Sequence, residues 1–232
     1  MDVSVYHNAI SIGSHSSSQI YVWHYEHGKL MGAIDLQGET PVSIQMLNGP
    51  AILAVGTASG KLYLLAMTTP HSSLEAEFHL LACLTAPFPV TAMQATLTSS
   101  GRGKQAVTSS CCLSAVTQEH ALLTYDCTQV VTHVPHKPHA KHKTNYNPLR
   151  EGKENFATEL QKILKSTFTV PLSSLEPALT PSIIETELVV TSLKVLQLPQ
   201  PARVVAGNDN RIKIWDENNL LTCDLNISVL LG

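Results

Sequence analysis

Charged residues are scarce in this chain, and long apolar runs are absent. Asp, Glu, Lys and Arg make up 14% of the 232 residues and aromatic residues 5%, whereas hydrophobic residues reach 44%. This composition is typical of a folded chain rather than a disordered one. No apolar run approaches the roughly 20 residues that a membrane-spanning helix needs. The apolar residues stand in short alternating segments, which predict many short strands and an all-β fold.

The sequence also lacks the marks of a secreted protein. Asp2 stands where a secretory signal would place basic and then apolar residues. The five cysteines are an odd number in a chain too large to need disulfide staples, and no Cys-x-x-Cys pair occurs. We therefore expect reduced thiols in a soluble cytoplasmic protein, or in one that belongs to a cytoskeletal or nuclear assembly.

Motifs for catalysis are missing as well. The chain has no Gly-x-Ser-x-Gly elbow, no His-Glu-x-x-His and no paired carboxylates whose spacing fixes their separation. The glycines around Arg102 do not have the spacing of a phosphate-binding loop. We expect a protein that is not an enzyme and that has no catalytic residues, no metal site and no cofactor.

The clearest local pattern spans Val204 to Asp216. Its first three residues are apolar and β-prone, the next four (Gly-Asn-Asp-Asn) are turn formers, and Ile212 and Ile214 then alternate with polar neighbours. The pattern predicts two strands joined by a tight turn, with both isoleucines on one face.

This hairpin resembles one repeat of a WD-repeat β-propeller. The resemblance is carried by Asp209 in the turn and by the Trp215-Asp216 pair at the end of the third strand of a blade. The same frame fits three earlier segments, in which another residue takes the place of Trp215. These segments are residues 12–23, ending at Trp23; residues 55–65, ending at Leu65; and residues 112–125, ending at Tyr125.

The resemblance implies a partial or degenerate propeller of about four blades. The intervals between the four frame ends are 42, 60 and 90 residues, so the later blades carry inserted loops. Asp209, Trp215, Asp216 and Trp23 are the structural signature of the blades. Residues 1–134 would form blades one to three, residues 135–182 an insertion, and residues 183–232 the last blade.

Each predicted blade can be divided into strands from its alternation and turn signals. Residues 183–198 offer one long strand or two, with a bulge near Thr191. The other predicted strands are Val3–Tyr6, Ala9–Gly13, Gln19–Trp23 and Lys29–Leu36; Pro41–Leu47, Ala51–Val55, Lys61–Met67 and Glu77–Leu84; Val90–Leu97, one within residues 105–116, Ala121–Tyr125 and Gln129–Val134; and Val204–Ala206, Ile212–Trp215 and Leu220–Asn226.

The insertion differs in composition from the blades. Six prolines between residues 135 and 181 interrupt strand pairing. Apolar residues at helical spacing predict one amphipathic helix over Glu154–Phe168, and the prolines after it predict an extended strap over residues 170–181. An amphipathic helix of this length must dock to be stable, so its apolar face is a candidate partner-binding surface. That face consists of Phe156, Leu160, Ile163, Leu164 and Phe168.

Residues 133–150 form a basic loop with four cations and no acid. Because the whole chain carries −3 and the loop +4, the remainder of the chain carries −7. The loop could contact phosphates, but Tyr146 is its one nearby stacking ring, and its histidines at every third residue are interleaved with lysines that would repel a metal ion. The candidate partner-binding cations are Lys137, Lys141, Lys143 and Arg150.

We expect a non-catalytic scaffold that mediates protein–protein interactions within a larger complex; the alternative is a subunit that binds nucleic acid or ribonucleoprotein through the basic loop. Four degenerate blades are not expected to close a ring alone, so other protein subunits would supply further blades or cover the open sheets. The first and last sheets would then expose Ile10, Ile12, Val204 and Ile214.

Overall fold

The computed structural model describes most of the four predicted blades. Of the helices in this part of the chain, none is long and apolar enough to cross a membrane. The described residues are 2–6, 9–13, 18–24, 29–47, 51–68, 76–100, 107–131, 167–171, 179–196, 202–207, 210–216 and 218–230.

Four antiparallel sheets follow one another along the chain, which confirms the predicted all-β fold. Each of the four is a meander at its core, because short turns join alternating apolar segments. The first sheet contains β1 (Asp2–Tyr6), β2 (Ala9–Gly13), β3 (Gln19–His24), β4 (Lys29–Asp35) and, from the insertion, β12 (Phe168–Thr169). The second contains β5 (Pro41–Leu47), β6 (Ile52–Thr57), β7 (Lys61–Thr68) and β8 (Glu77–Thr85).

The other two sheets lie after the second in chain order. Two short helices flank them, α1 (Thr128–Val131) and α2 (Ile227–Leu230). The third sheet contains β9 (Val90–Ser100), β10 (Val107–Thr117), β11 (Leu122–Asp126) and β13 (Ser182–Ile184), and the fourth contains β14 (Val190–Leu196), β15 (Ala202–Gly207), β16 (Arg211–Trp215) and β17 (Leu221–Asn226).

The hairpin turn of each later blade has the same backbone conformation at the same frame position. Gly60, His120 and Asn210 all have a left-handed backbone, with φ of 84°, 63° and 60°. Glycine and asparagine tolerate this conformation best. A Cβ on Gly60 would also lie 2.6 Å from the carbonyl oxygen of Ala86. The turn therefore repeats although its sequence does not.

Bulges repeat in the same way. The pairing between third and fourth strands shifts just before Trp23, Leu65 and Trp215. The pairing between first and second strands shifts at the residues between Pro41 and Ser43, between Val90 and Ala92, and between Val190 and Ser192. The last of these confirms the bulge predicted near Thr191. Such bulges increase the local twist of a strand, so the four blades are built alike.

Two strand predictions in the third blade are wrong. The predicted fourth strand at Gln129–Val134 is instead helical from Thr128 to Val131, because the Asp126 carboxylate accepts a hydrogen bond from the Thr128 amide at 3.0 Å and starts a turn. The outer strand is Ser182–Ile184, which pairs with β11 after the insertion. The predicted strand Val90–Leu97 also ends too early, since β9 stays paired to Ser100.

The insertion returns to the first sheet. Phe168 and Thr169 pair in parallel with Ile34 and Asp35, and the Val170 amide donates to the Asp35 carbonyl at 3.0 Å. The predicted helix is therefore wrong at its last residue, because strand pairing at the sheet edge overrides the helical spacing of Phe168. Residues 154–166 lie outside the described part of the chain.

The segment around β12 also contributes to the core. Val170 is 3% exposed, and the Phe168 ring lies 6.4 Å from the Phe78 ring between centroids. The predicted strap over residues 170–181 therefore begins as a buried anchor instead of a surface segment. Further along, Leu179 packs against the cluster between the second and third sheets. The described residues of the insertion, 167–171 and 179–181, therefore pack on the sheets of the same chain.

We expect Val170→Ala to lower the free energy of unfolding by about 2 kcal/mol, because the substitution removes two buried methyl groups from this anchor. Thr169→Ala is the matched control. Its side chain is exposed one residue away, so its effect should stay within about 0.5 kcal/mol. Urea denaturation measures both, and equal effects would show that β12 does not anchor the insertion.

We also expect Trp215→Ala to destabilise the chain by about 3–5 kcal/mol, since the ring is 4% exposed between the third and fourth sheets. Leu221→Ala, at a residue on the neighbouring strand that is 49% exposed, should change stability by about 0.5 kcal/mol or less. A thermal melt of Trp215→Ala at the wild-type temperature would contradict the packing of the last blade.

Candidate interaction surfaces

In the second, third and fourth sheets, the residue of the third strand in the frame position of Trp215 packs against the preceding sheet; we name this the strand-end position, although β7 continues past Leu65 to Thr68. Leu65 lies in the cluster formed with Ile20 of the first sheet. Tyr125 lies in the cluster shared with the second sheet, and Trp215 in the cluster shared with the third. These side chains face the preceding sheet because strand residues alternate between faces and the blades share one register.

The intervening residues of each third strand pack against the following sheet. Val22 of the first sheet packs against the second, Leu64 of the second against the third, and Leu122 of the third against the fourth. Each of the three is at most 1% exposed. At every junction between two sheets, the strand-end residue of the later sheet therefore packs on the face of the earlier sheet that is turned toward it.

Trp23 occupies the strand-end position in the first sheet. Its ring is part-exposed and lies 5.6 Å from the Tyr21 ring between centroids, and both rings pack on Leu30 and Ala33. These four residues lie on the face of the first sheet that points away from the second, because Ile20 and Val22 on the alternate face pack against the second sheet. We name this face the leading flank.

The fourth sheet has a face that is turned away from the third sheet and that no other described sheet covers. Register places Ile212 and Ile214 opposite Leu225 and Cys223, on the face that Lys213 and Trp215 do not share. Leu196 lies on the same face of β14, and Ser192 and Lys194 are its exposed polar members. We name this face the trailing flank; its apolar residues are Leu196, Ile212, Ile214, Cys223 and Leu225.

Burial shows that the trailing flank is open. All six residues of β6 are buried, because sheets cover both of its faces. In β14, in contrast, part-buried residues alternate with exposed ones. Leu196 and Leu225 are 44% and 40% exposed, whereas Leu62 and Leu64, which hold the positions of Ile212 and Ile214 in the second sheet, are at most 1% exposed. An apolar sheet face of this kind is typical of an interaction surface.

The covered face of the fourth sheet contains two buried cations. Arg203 is 4% exposed and donates hydrogen bonds to the Thr124 hydroxyl, at 3.0 Å, and to the Asp216 carbonyl. Burial lowers the pKa of Arg203. Lys213 is 8% exposed, with its Nζ 3.8 Å from the Asp224 carboxylate. These two cations thus lie on the face that packs against the third sheet, whereas the trailing flank has Lys194 as its described cation.

The structure places three of the four signature residues. Trp215 is buried, Trp23 lies on the leading flank, and the Asp216 carboxylate accepts hydrogen bonds from the Asn218 and Leu220 amides at 2.9 and 2.8 Å. Asp216 therefore closes the turn after β16, as Asp126 does after β11. Asp209 lies outside the described residues.

Among the predicted partner-binding residues, Phe168 is described, and it packs on its own first and second sheets. The remaining candidates lie outside the described part of the chain: Phe156, Leu160, Ile163, Leu164, Lys137, Lys141, Lys143 and Arg150. Of the residues expected on the open faces, Ile214 is part-exposed, and the side chains of Ile10, Ile12 and Val204 are likewise outside the description.

The sequence did not identify Tyr21, Leu196 and Leu225 as flank residues. Their signal is their place in the frame: Leu225 is directly opposite Ile212, and Tyr21 precedes Trp23 by two residues on the same face. In the described part of the chain, no group of three or more His, Cys, Asp or Glu side chains could hold a metal ion.

Comparison with known proteins shows the β-propeller fold. The chain is similar to Saccharomyces cerevisiae Sqt1, with a TM-score of 0.53 and 9% identity over 100% of this chain. It is also similar to BBS1N, solved in complex with ARL6DN, with a TM-score of 0.51 and 9% identity over 93%. A chain of a mitotic checkpoint complex gives 0.51 and 12% over 97%.

The chain spans about half the length of these solved structures, 48%, 48% and 50%. No protein-family model matches it, and no curated protein matches it in sequence. The likeness is therefore one of fold, over about half of each of these solved chains.

We expect the free energy of unfolding to fall at alkaline pH because of the ionisation of Tyr125. Its ring is fully buried, its hydroxyl donates to the Thr85 carbonyl at 3.0 Å, and burial raises its pKa to about 12. In the unfolded chain the Tyr125 hydroxyl ionises near pH 10. Burial of the neutral hydroxyl therefore stabilises the fold fully below about pH 10, and this stabilisation is lost as pH rises toward 12.

Urea denaturation between pH 9 and pH 11 measures this loss against Tyr125→Phe, which cannot ionise. The wild-type free energy of unfolding should fall more steeply with pH than that of the variant. Parallel slopes would mean that Tyr125 is not buried at the junction of the second and third sheets.

Proposed function

We propose that this protein is a non-catalytic scaffold that assembles with other protein subunits through the two flanks of its propeller arc. The single observation that carries the proposal is the one-sided burial of the fourth sheet. The apolar positions that are covered in the second and third sheets, such as Leu64 and Leu122, are part-exposed at Ile212 and Ile214. Covering them with another protein removes apolar surface from water.

The chemistry of the flanks supports a protein partner. The trailing flank is mostly aliphatic, with Lys194 as its described cation, and the leading flank consists of two aromatic rings over Leu30 and Ala33. Tryptophan and tyrosine are enriched among the residues that carry most of the binding energy in protein interfaces, and the buried core of an interface is more apolar than the rest of the protein surface. A polyanion such as nucleic acid would instead need a row of cations.

Solved propellers of similar fold give the same indication. One of them was solved with ARL6DN and another as part of a mitotic checkpoint complex, so both have protein partners. In a propeller, rigid sheets hold variable surfaces in fixed relation, which suits the binding of partners without any chemistry on them.

The test is affinity purification of the tagged full chain from its own cells, with Leu225→Asp as the flank variant. A carboxylate there would have to be buried without a partner, so the bound subunits should be lost. Phe88→Asp is the matched control, since Phe88 is 44% exposed on the loop between β8 and β9 and Leu225 is 40% exposed. Equal recovery of subunits with both variants would contradict assembly through the trailing flank.

A further inference from the structure

The two flanks are the two halves of one contact that the chain makes three times internally. At each internal junction, the strand-end side chain of one sheet packs on the facing side of the sheet before it. These side chains are Leu65, Tyr125 and Trp215. The leading flank presents the first half of this contact, with Trp23 in the strand-end place. The trailing flank presents the second half, with Ile212 and Ile214 in the places of Leu62 and Leu64.

The internal junctions show what the trailing flank accommodates. In the third sheet, the face that corresponds to the trailing flank lies around Leu122 and packs against the indole of Trp215. Its counterpart in the second sheet, around Leu64, takes the phenol ring of Tyr125. Sheet faces of the same register and the same apolar character therefore accept a large ring twice within this chain. Trp23 is a ring of that size in the same frame position.

We propose that each flank is covered by a second copy of this chain, so that the leading flank of one copy packs on the trailing flank of the other. This proposal rests on the proposed function, and it identifies the subunit that covers the flanks.

A second copy satisfies both flanks at once. Two copies related by a two-fold axis form two identical junctions, leading on trailing and trailing on leading, which cover the trailing flank and the part-exposed rings of Tyr21 and Trp23 in each copy. A copy that packed through one kind of flank alone would place Trp23 against Trp23 and leave both trailing flanks in water. Closed symmetric dimers are the commonest protein assemblies.

The extent of the fold agrees with two copies. One chain covers 48–50% of the length of the solved propellers, so two copies together have about the length of one such structure. The described sheet-to-sheet packing runs from β1 and β2 to β5, from β5 and β6 to β9, and from β9 and β10 to β14. The second copy continues this order from β14 to its own first sheet.

Light scattering after size exclusion tests the proposal on the purified full chain. The wild type should have twice the 25.1 kDa mass of one chain. Trp23→Asp blocks the leading flank and Leu225→Asp the trailing flank, and each variant alone should be a monomer, because every junction of its dimer contains one blocked flank. The control, Phe88→Asp, lies outside both flanks and should remain a dimer.

An equimolar mixture of the two variants decides between modes of pairing. Each mixed dimer retains one junction with two intact flanks, so dimer should reappear at a higher chain concentration than the wild type needs. Reappearance also shows that both variants are folded. A dimer of Leu225→Asp alone would mean that leading flanks pair with each other, which overturns the proposal, and so would a mixture that stays monomeric.

A monomeric wild type also overturns the proposal. In that case the subunits captured in the affinity purification are other proteins, and the scaffold function stands without self-assembly. If the chain dimerises as expected while Leu225→Asp captures every subunit, the partners bind elsewhere, and the proposed function fails in its choice of surface while the dimer stands.

Discussion

The contact between the end of each third strand and the sheet before it holds this protein together. Leu65, Tyr125 and Trp215 each insert into a cluster whose other half belongs to the preceding sheet. A single four-stranded sheet has two apolar faces and cannot bury either by itself, so each sheet depends on its neighbours for stability. The outward face of the fourth sheet has no such neighbour among the described residues, and Leu196 and Leu225 on it are 44% and 40% exposed.

Much of this architecture could be predicted from the sequence because it is local. The turn before β16 combines glycine, asparagine and aspartate, and strand alternation predicted the strands of the first two sheets and the last three strands of the fourth to within two residues, apart from β12. The third blade was harder, since a left-handed turn at His120 and a helix at Thr128 have weak sequence signals. The pairing of its outer strand could not be predicted, because Ser182–Ile184 joins β11 across more than fifty intervening residues, whereas the sequence assigned Ile183 and Ile184 to the last blade.

The candidate surfaces were predicted less completely than the fold. The sequence indicated open faces at both ends of the arc, and it placed Trp23 and Trp215 in one class. Packing separates them: the Trp215 ring is covered by the third sheet, whereas Trp23 lies where the described chain provides no equivalent sheet. Alternation placed Ile212 and Ile214 on one face, and Ile214 was expected on the open side of the last sheet; packing agrees, since the covered residues of β16 are Lys213 and Trp215. The sequence did not show that Lys213 and Arg203 would be buried, because both faces of a blade are apolar and hydrophobicity alone does not show which face is covered.

The late position of β13 affects how the chain is made. During synthesis β11 emerges with its outer edge unpaired, and the strand that pairs with it follows only after the insertion has been translated. The outer edge of β4 in the first sheet also stays unpaired during synthesis, since β12 joins β4 from more than 130 residues further along the chain. Contacts so distant in sequence form slowly, and an unpaired edge attracts other chains meanwhile. In the nascent polypeptide the edges of β4 and β11 are therefore paired late, first β4 with β12 and then β11 with β13.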